Sequence, residues 1–330
     1  MYIEKKNIAG ETYYYLKLSV RYKDKVRTKT IAYLGKEKLT KEELQKAIAK
    51  YTTKAKETKE EALEELKMEI EKKSEFFLTG EQLLKIEKMK EGFNKKLKEL
   101  DEKTKEEMFN DFLTIYVYNT NAIEGNTFTL RDTDLLLNKG ITPQGKSLRE
   151  IHDHLNAKEA FHFVLEEKPR INHKTIIKIH ALLMKNIDNR AGEYRIHNVR
   201  VFGARFETSP ANYVKVDMDI VLKWYRKHKM QFHPLILAAV FHHKFEKIHP
   251  FYDGNGRTGR MLLNIILLEN KIPPLILPNA QRKRYYQALE ATDKTNLNSI
   301  QPQYKEVIKF CYFNLLKTYN TIFGKWGSNP

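Results

Sequence analysis

The run His249-Pro250-Phe251-Tyr252-Asp253-Gly254-Asn255-Gly256-Arg257-Thr258-Gly259-Arg260 brings together an imidazole, a carboxylate, a glycine-rich turn and two guanidinium groups. Gly254 and Gly256 let backbone N–H groups approach anionic oxygens with no Cβ in the way. A helix starting near Asn255 and continuing through the apolar run Met261 to Leu268 aims its positive end at the same anion. Arg257 and Arg260 lie three apart and project from one side of its first turns. Asp253 suits a divalent ion that bridges phosphates. His249 titrates near neutral pH and can take a proton from a hydroxyl. Together these side chains are equipped for a metal-bound polyphosphate beside a proton acceptor.

Other readings of the same letters fare worse. Gly254-x-Gly256-x-x-Gly259 matches a dinucleotide fingerprint, but Phe245 to Pro250 before it carries charges and a proline where an apolar strand is needed. No Lys-Ser/Thr follows the glycines, which excludes a P-loop. His242 and His243 are adjacent and point about 100° apart on a helix, so packing or surface roles are favoured over a metal cluster with His249.

The elements that position the motif read as mainly α. Residues 105–330 give candidate helices at 105–120, 130–138, 147–167, 173–187, 214–229, 233–247, 255–270, 281–292 and 301–322. Pro234 stands at a first helical position, and Pro273-Pro274 ends the motif helix. Between 192 and 216 the pattern changes: Val199 to Phe202 is strand-like, Gly203 offers a turn and Ser209-Pro210 breaks the chain. A β-hairpin is expected there.

The motif resembles the signature of the Fic family, His-Pro-Phe-x-Asp/Glu-Gly-Asn-Gly-Arg-x-x-Arg, at every specified position. The resemblance extends over about 105 to 295. Fic proteins transfer AMP from ATP to a protein hydroxyl. The resemblance therefore implies a Mg²⁺-dependent protein adenylyltransferase with a helical Fic core. It makes the hairpin over 194–216 a flap that pairs with the target by strand addition, with Phe202, Gly203, Ala204 and Arg205 beside the nucleotide. Gly192-x-Tyr194-Arg195 is similar to the family's lead-in to that flap. A second stretch, Thr120-Asn121-Ala122-Ile123-Glu124-Gly125-Asn126, resembles the inhibitory motif Ser/Thr-x-x-x-Glu-Gly/Asn. It implies that Glu124 pairs with Arg260 in place of the γ-phosphate. A third, Arg284 to Leu289, is similar to the segment that sets Tyr285 and Tyr286 near adenine and ribose, with core packing the competing reading of each. Asp293 stands where relatives often carry a polar nucleotide contact, usually Asn.

The implied reaction has ATP bound with Mg²⁺ on Asp253 and its phosphates over Gly254, Asn255 and Gly256. Arg257 holds the β-phosphate and Arg260 the γ-phosphate, with Thr258 and Gly259 in the same nucleotide-binding run. His249 takes the proton of a Ser, Thr or Tyr hydroxyl of a target protein or of the chain itself. Removal of AMP by the same site, and a nucleotide-sensing binding module, stay open beside it.

Residues 1–37 read as a β-meander: Tyr2-Ile3, a turn at Ala9-Gly10, Thr12 to Val20, a turn at Lys23-Asp24-Lys25, and Val26 to Leu34. It could grip nucleic acid or a partner, or serve as a packing or dimerisation module. Residues 38–104 form a charged helical arm, with Thr40 and Glu43 as a capping box and a break at Phe76 to Gly80. Hydrophobic content of 41% and charged content of 31% indicate a soluble folded chain. The net charge of +17 comes from lysines spread along its whole length, which favours a solvated surface over a nucleic-acid site. No apolar run is long enough for a membrane, and the opening Met1-Tyr2-Ile3-Glu4-Lys5-Lys6 lacks the apolar stretch of a secretory signal. The single cysteine, Cys311, suits a reducing cytoplasm.

Overall fold

The computed structural model describes residues 1–22, 25–37, 39–200 and 207–326, without side-chain placement at 22, 25 and 66–72. Met1–Ser74 with Met230–Phe232 make one compact unit, and Glu75–Lys229 with His233–Pro330 the other.

In the first unit, Leu16, Leu18 and Val20 alternate with Lys17 and Ser19, giving strand β2 (Glu11–Tyr22) one apolar face. β2 is the centre of an antiparallel meander with β1 (Tyr2–Ile8) and β3 (Lys25–Gly35). Ile8 pairs with Glu11, so Ala9 (φ 49°) and Gly10 (φ 83°) form a two-residue turn with both residues left-handed. The expected turn at Lys23-Asp24 lies outside the described residues. Leu16 and Ile31 pack on Ala55 of helix α2 (Thr52–Glu75), with Ile48 of α1 (Lys41–Lys50) and Tyr51 closing the core. The Thr40/Glu43 capping box starts α1 as expected.

The second unit is helical. It contains α3 (Gly80–Glu99), α4 (Glu102–Ile123), α5 (Leu130–Lys139), α6 (Leu148–Glu167), α7 (His173–Leu183), α8 (Val214–His228), α9 (Pro234–Ile248), α10 (Asn255–Glu269), α11 (Arg282–Glu290) and α12 (Lys305–Thr318). All of Pro234 to Phe245 and all of Arg257 to Leu267 are buried, which makes α9 and α10 the central pair. Gly259 lets them approach: a Cβ there would lie 2.9 Å from His242 Nδ1 and also collide with Glu246 Oε1. No described helix is long and apolar enough to cross a membrane.

Two elements depart from the sequence pattern, and a third lies partly outside the described residues. Helix α7 ends at Leu183 instead of continuing to 187, because the Asn156 amide takes the carbonyls of Leu183 (3.1 Å) and Lys185 (2.6 Å). The last helical region is a short 3₁₀ turn, then α12, then a π-helical turn at Tyr319–Phe323. The expected hairpin falls partly on 201–206, outside the described residues. Its described flanks carry no strand. They are joined by Thr208 Oγ1 donating to Val199 O (3.1 Å) and Ala211 N donating to Asn198 Oδ1 (2.8 Å).

Candidate active site

Helix α9 runs straight into the motif loop. His249 is its C-cap, left-handed at φ 51°, with its N–H on Phe245 O at 2.9 Å. Pro250 then prevents the helix from continuing. The loop closes on itself through Asn255, whose amide accepts from Phe251 N (2.9 Å) and donates to Phe251 O (2.8 Å). The Asn255 side chain thereby ties the loop to itself, and the backbone N–H groups of the turn remain to face an anion. Phe251 is fully buried and stacks on His180 at 3.6 Å. Gly254, at φ 72°, is the N-cap of α10 and offers no side chain to its first-turn N–H groups. A Cβ at Gly254 would lie 2.6 Å from Met184 Sδ, so the position admits only glycine without rearrangement.

Three charged motif side chains each meet a partner from outside the motif. Arg260 donates through Nε to Thr120 Oγ1 (2.8 Å), and through Nη2 to Thr120 O (2.9 Å) and Glu124 Oε1 (2.6 Å). Burial works against its charge, but Glu124, Tyr285 and Glu246 together outweigh it, so its pKa is raised. Arg257 is buried against Asp153 of α6, with Asp253 Oδ1 at 3.6 Å. Asp253 pairs with Arg149, also on α6, and accepts from Gly254 N at 2.6 Å. Burial pushes the Asp253 carboxyl up, but Arg257, the Gly254 N–H and Arg149 together hold it below its ordinary value. Glu124 caps the end of α4, followed by Gly125 at φ 97°, and lies over the loop: a Cβ on Gly256 would collide with its Oε1.

The base candidate is enclosed. Burial pushes His249 down to about 4, so its imidazole is uncharged at pH 7 and able to accept a proton. His180 joins the site unannounced by the sequence. Its Nε2 donates to Asp253 O (3.0 Å) and its Nδ1 accepts from Gly192 N (2.8 Å), which fixes the tautomer. Arg195, from the stretch that leads into the flap, bonds the carbonyls of His249 (2.7 Å) and Ile248 (3.2 Å). Asp153, Arg149 and His180 carry no local signal, because each meets the motif only through the tertiary fold.

The remaining predicted residues separate. Thr258 is fully buried, and Gly259 faces α9, so this pair serves helix packing instead of facing the loop's anion side. Tyr285 is buried with its hydroxyl bonded to His242 Nε2 (2.8 Å), the core alternative of the two readings. Tyr286 is 42% exposed and lies against Tyr285, 5.2 Å between centroids, leaving its ring accessible. Asp293 bonds His243 Nε2 at 3.3 Å, and burial lowers the pKa of that histidine. Phe202, Gly203, Ala204 and Arg205 lie outside the described residues. Among those described, no cluster of three His, Cys, Asp or Glu forms a metal cage.

Residues 170–267 match the family model of the Fic/DOC family. Over those residues the chain is similar to the Fic/DOC family. Protein adenylyltransferase fic-1 of Caenorhabditis elegans is 34% identical over 209 residues, covering 61% of this chain and 40% of that protein. Protein adenylyltransferase Fic of Drosophila melanogaster is 33% identical over 187 residues, covering 55% and 38%. The chain thus spans about 40% of the length of the curated relatives it matches. A solved structure of C. elegans Fic-1 (residues 134–508) superposes with TM-score 0.60 at 29% identity, covering 74% of this chain and 72% of that one. A Fic-domain signalling protein of Bacteroides thetaiotaomicron shares the fold at TM-score 0.63 and 24% identity, over 72% of this chain and 98% of that one.

One buried group near the centre of the matched region makes a separate prediction. Glu246 of α9 has its Oε1 enclosed without a hydrogen-bond partner among the described residues. Burial raises its pKa from the ordinary 4.5 to about 8, with Arg260 opposing and Glu124 adding to the shift. The folded protein keeps a proton that the unfolded chain releases, so its stability contribution, full below pH 4.5, is lost as pH rises toward 8. Glu246→Gln carries no titrating proton. Its melting temperature should equal the parent's near pH 4.5 and exceed it by on the order of several degrees at pH 8. Parallel melting curves across that range would contradict the assignment.

Proposed function

We propose that this chain transfers AMP from ATP to a hydroxyl group of a protein, and that Glu124 restrains the reaction through Arg260. The observation that carries this reading is the contact of Glu124 Oε1 with Arg260 Nη2, at 2.6 Å, over Gly256 of the motif loop. A carboxylate there satisfies the arginine that a terminal phosphate would otherwise engage, and it repels the phosphate's charge.

In the released state, the first-turn N–H groups of α10 receive phosphate oxygens, Arg257 the β-phosphate and Arg260 the γ-phosphate. Arg257 already lies beside Asp153, which fixes its guanidinium plane. The exposed ring of Tyr286 offers a face for the base. A target segment meets the flap region over 194–216, and its hydroxyl reaches His249. The hydroxyl oxygen bonds the α-phosphorus, its proton passes to the imidazole, and the bond to the β-phosphate oxygen breaks to release pyrophosphate.

The donor set fits Mg²⁺, which binds through one or two carboxylates together with substrate phosphates. Asp253 supplies that carboxylate, and the ion's chemistry when bound is to neutralise phosphate charge. Asp253→Ala should weaken Mg²⁺-dependent ATP binding, measured calorimetrically with and without the ion, and chelator should stop transfer by the unaltered site. Equal ATP affinity in both proteins at every Mg²⁺ concentration would remove Asp253 from this role. The reading as a whole is tested by incubating the protein with ATP labelled at the α-phosphate and following covalent label on the chain and on added proteins.

A further inference from the structure

This inference rests on the reading above, in which a target hydroxyl meets His249. We propose that Arg195 is a positioning residue for that step, clamping both ends of the target-receiving segment to the backbone that carries the base.

Arg195 is 1% exposed, and among the described residues every hydrogen bond of its guanidinium runs to a backbone carbonyl. Nε donates to His249 O at 2.7 Å and Nη2 to Ile248 O at 3.2 Å, both on the base's own turn. Nη1 donates to His197 O at 3.1 Å and Nη2 also to Ser209 O, one on each side of the flap segment. Its own backbone N–H donates to Pro250 O at 2.9 Å, and the next N–H, of Ile196, to the Tyr252 hydroxyl at 3.1 Å. The two sides of the segment are cross-linked just beyond, Val199 to Thr208 and Asn198 to Ala211. One side chain thus ties both described flanks of that segment to the turn that carries the imidazole.

A buried guanidinium facing only carbonyls is costly, and a neutral hydrogen-bonding residue could not supply five donors in one plane. Its geometry also bears on His249. That residue is left-handed at φ 51°, a conformation that side-chain-bearing residues rarely keep unaided. The bond from Arg195 to His249 O and the bond from His249 N to Phe245 O hold the two sides of that residue.

The charge acts in the same direction. After burial, the groups acting on the imidazole are the Glu246 carbonyl, Arg195, Glu124 and Asp253. Among them Arg195 disfavours imidazolium, whereas the Glu246 carbonyl and the two carboxylates favour it. Arg195 thereby helps keep the base unprotonated before a target docks.

The test uses the full chain carrying Arg195→Gln or Arg195→Lys, each alone and combined with Glu124→Gly. His249 is titrated by histidine NMR, its resonances identified by their loss in His249→Ala. ATP binding is measured by calorimetry with Mg²⁺, and transfer with α-labelled ATP at saturation. In Arg195→Gln the His249 midpoint should move up and ATP affinity stay within about threefold. Transfer should fall about ten- to a hundred-fold, the scale expected of a misplaced reacting group. Arg195→Lys keeps the charge but cannot reach four carbonyls, so the midpoint should stay low while transfer recovers only in part.

An unmoved His249 midpoint in folded Arg195→Gln overturns the proposal. So does parallel loss of ATP binding and transfer, the signature of a merely structural residue. If Arg195→Gln fails to fold, Arg195→Lys decides: transfer equal to its parent counts against the clamp, and reduced transfer with intact ATP binding supports it. A Glu124→Gly parent that transfers no AMP defeats the functional reading instead, while the His249 titration still judges Arg195.

Discussion

His249→Ala is expected to reduce AMP transfer by about a hundred- to ten-thousand-fold, the span of a positioned general base, while ATP affinity stays within a few-fold. The separation follows from placement. The phosphate-facing groups are the α10 N–H donors, Arg257 and Arg260, whereas His249 sits at the other end of the loop as the α9 cap. Its imidazole, pushed down to about 4 by burial, is already in the accepting form at neutral pH. The check is a pair of measurements on one preparation: calorimetric ATP binding, and label transfer in the Glu124→Gly background. Transfer near the parent rate would remove His249 from the base role. Loss of ATP binding in step with transfer would make it a structural residue.

Glu124→Gly is expected to raise transfer roughly ten- to a hundred-fold. A charge-assisted hydrogen bond contributes about 1.5–3 kcal/mol, and its loss both frees Arg260 and lifts the repulsion of the terminal phosphate. The freed Arg260 would still be oriented by Thr120, which takes its Nε at 2.8 Å and Nη2 at 2.9 Å independently of Glu124. Release therefore requires only that the Glu124 side chain move. That side chain is 36% exposed whereas Arg260 is 3% exposed, so the acid is the movable half of the pair. Arg260→Ala should not activate, since it removes the phosphate anchor together with the lock.

What the sequence carried well was local. The motif's glycines, its cap, its helix and its arginines are contiguous, and the resemblance of 120–126 pointed to the Glu124–Arg260 contact across 136 positions. The apolar runs marked α9 and α10 because no solvated face interrupts them. What stayed hidden depends on approach in space. Asp153 and Arg149 read as ordinary charges on an amphipathic α6, yet they meet Arg257 and Asp253. His180 reads as a polar residue among isoleucines and leucines, yet it stacks under Phe251 and fixes the Asp253 carbonyl. Asn255 was legible as a polar group beside the glycines, but only the loop's closure reveals that both ends of its amide are taken by Phe251. The end of α7 was misplaced for a similar reason, since an asparagine on α6 captures its last carbonyls.

The most direct test of the central claim compares the unaltered protein with Glu124→Gly in parallel incubations with Mg²⁺ and ATP labelled at either the α- or the γ-phosphate. The account predicts covalent label on protein from α-labelled ATP, stronger in Glu124→Gly by about ten- to a hundred-fold, with no label from the γ-position. Transfer of γ-label, or equal α-label transfer by the two proteins at saturating ATP, would contradict it.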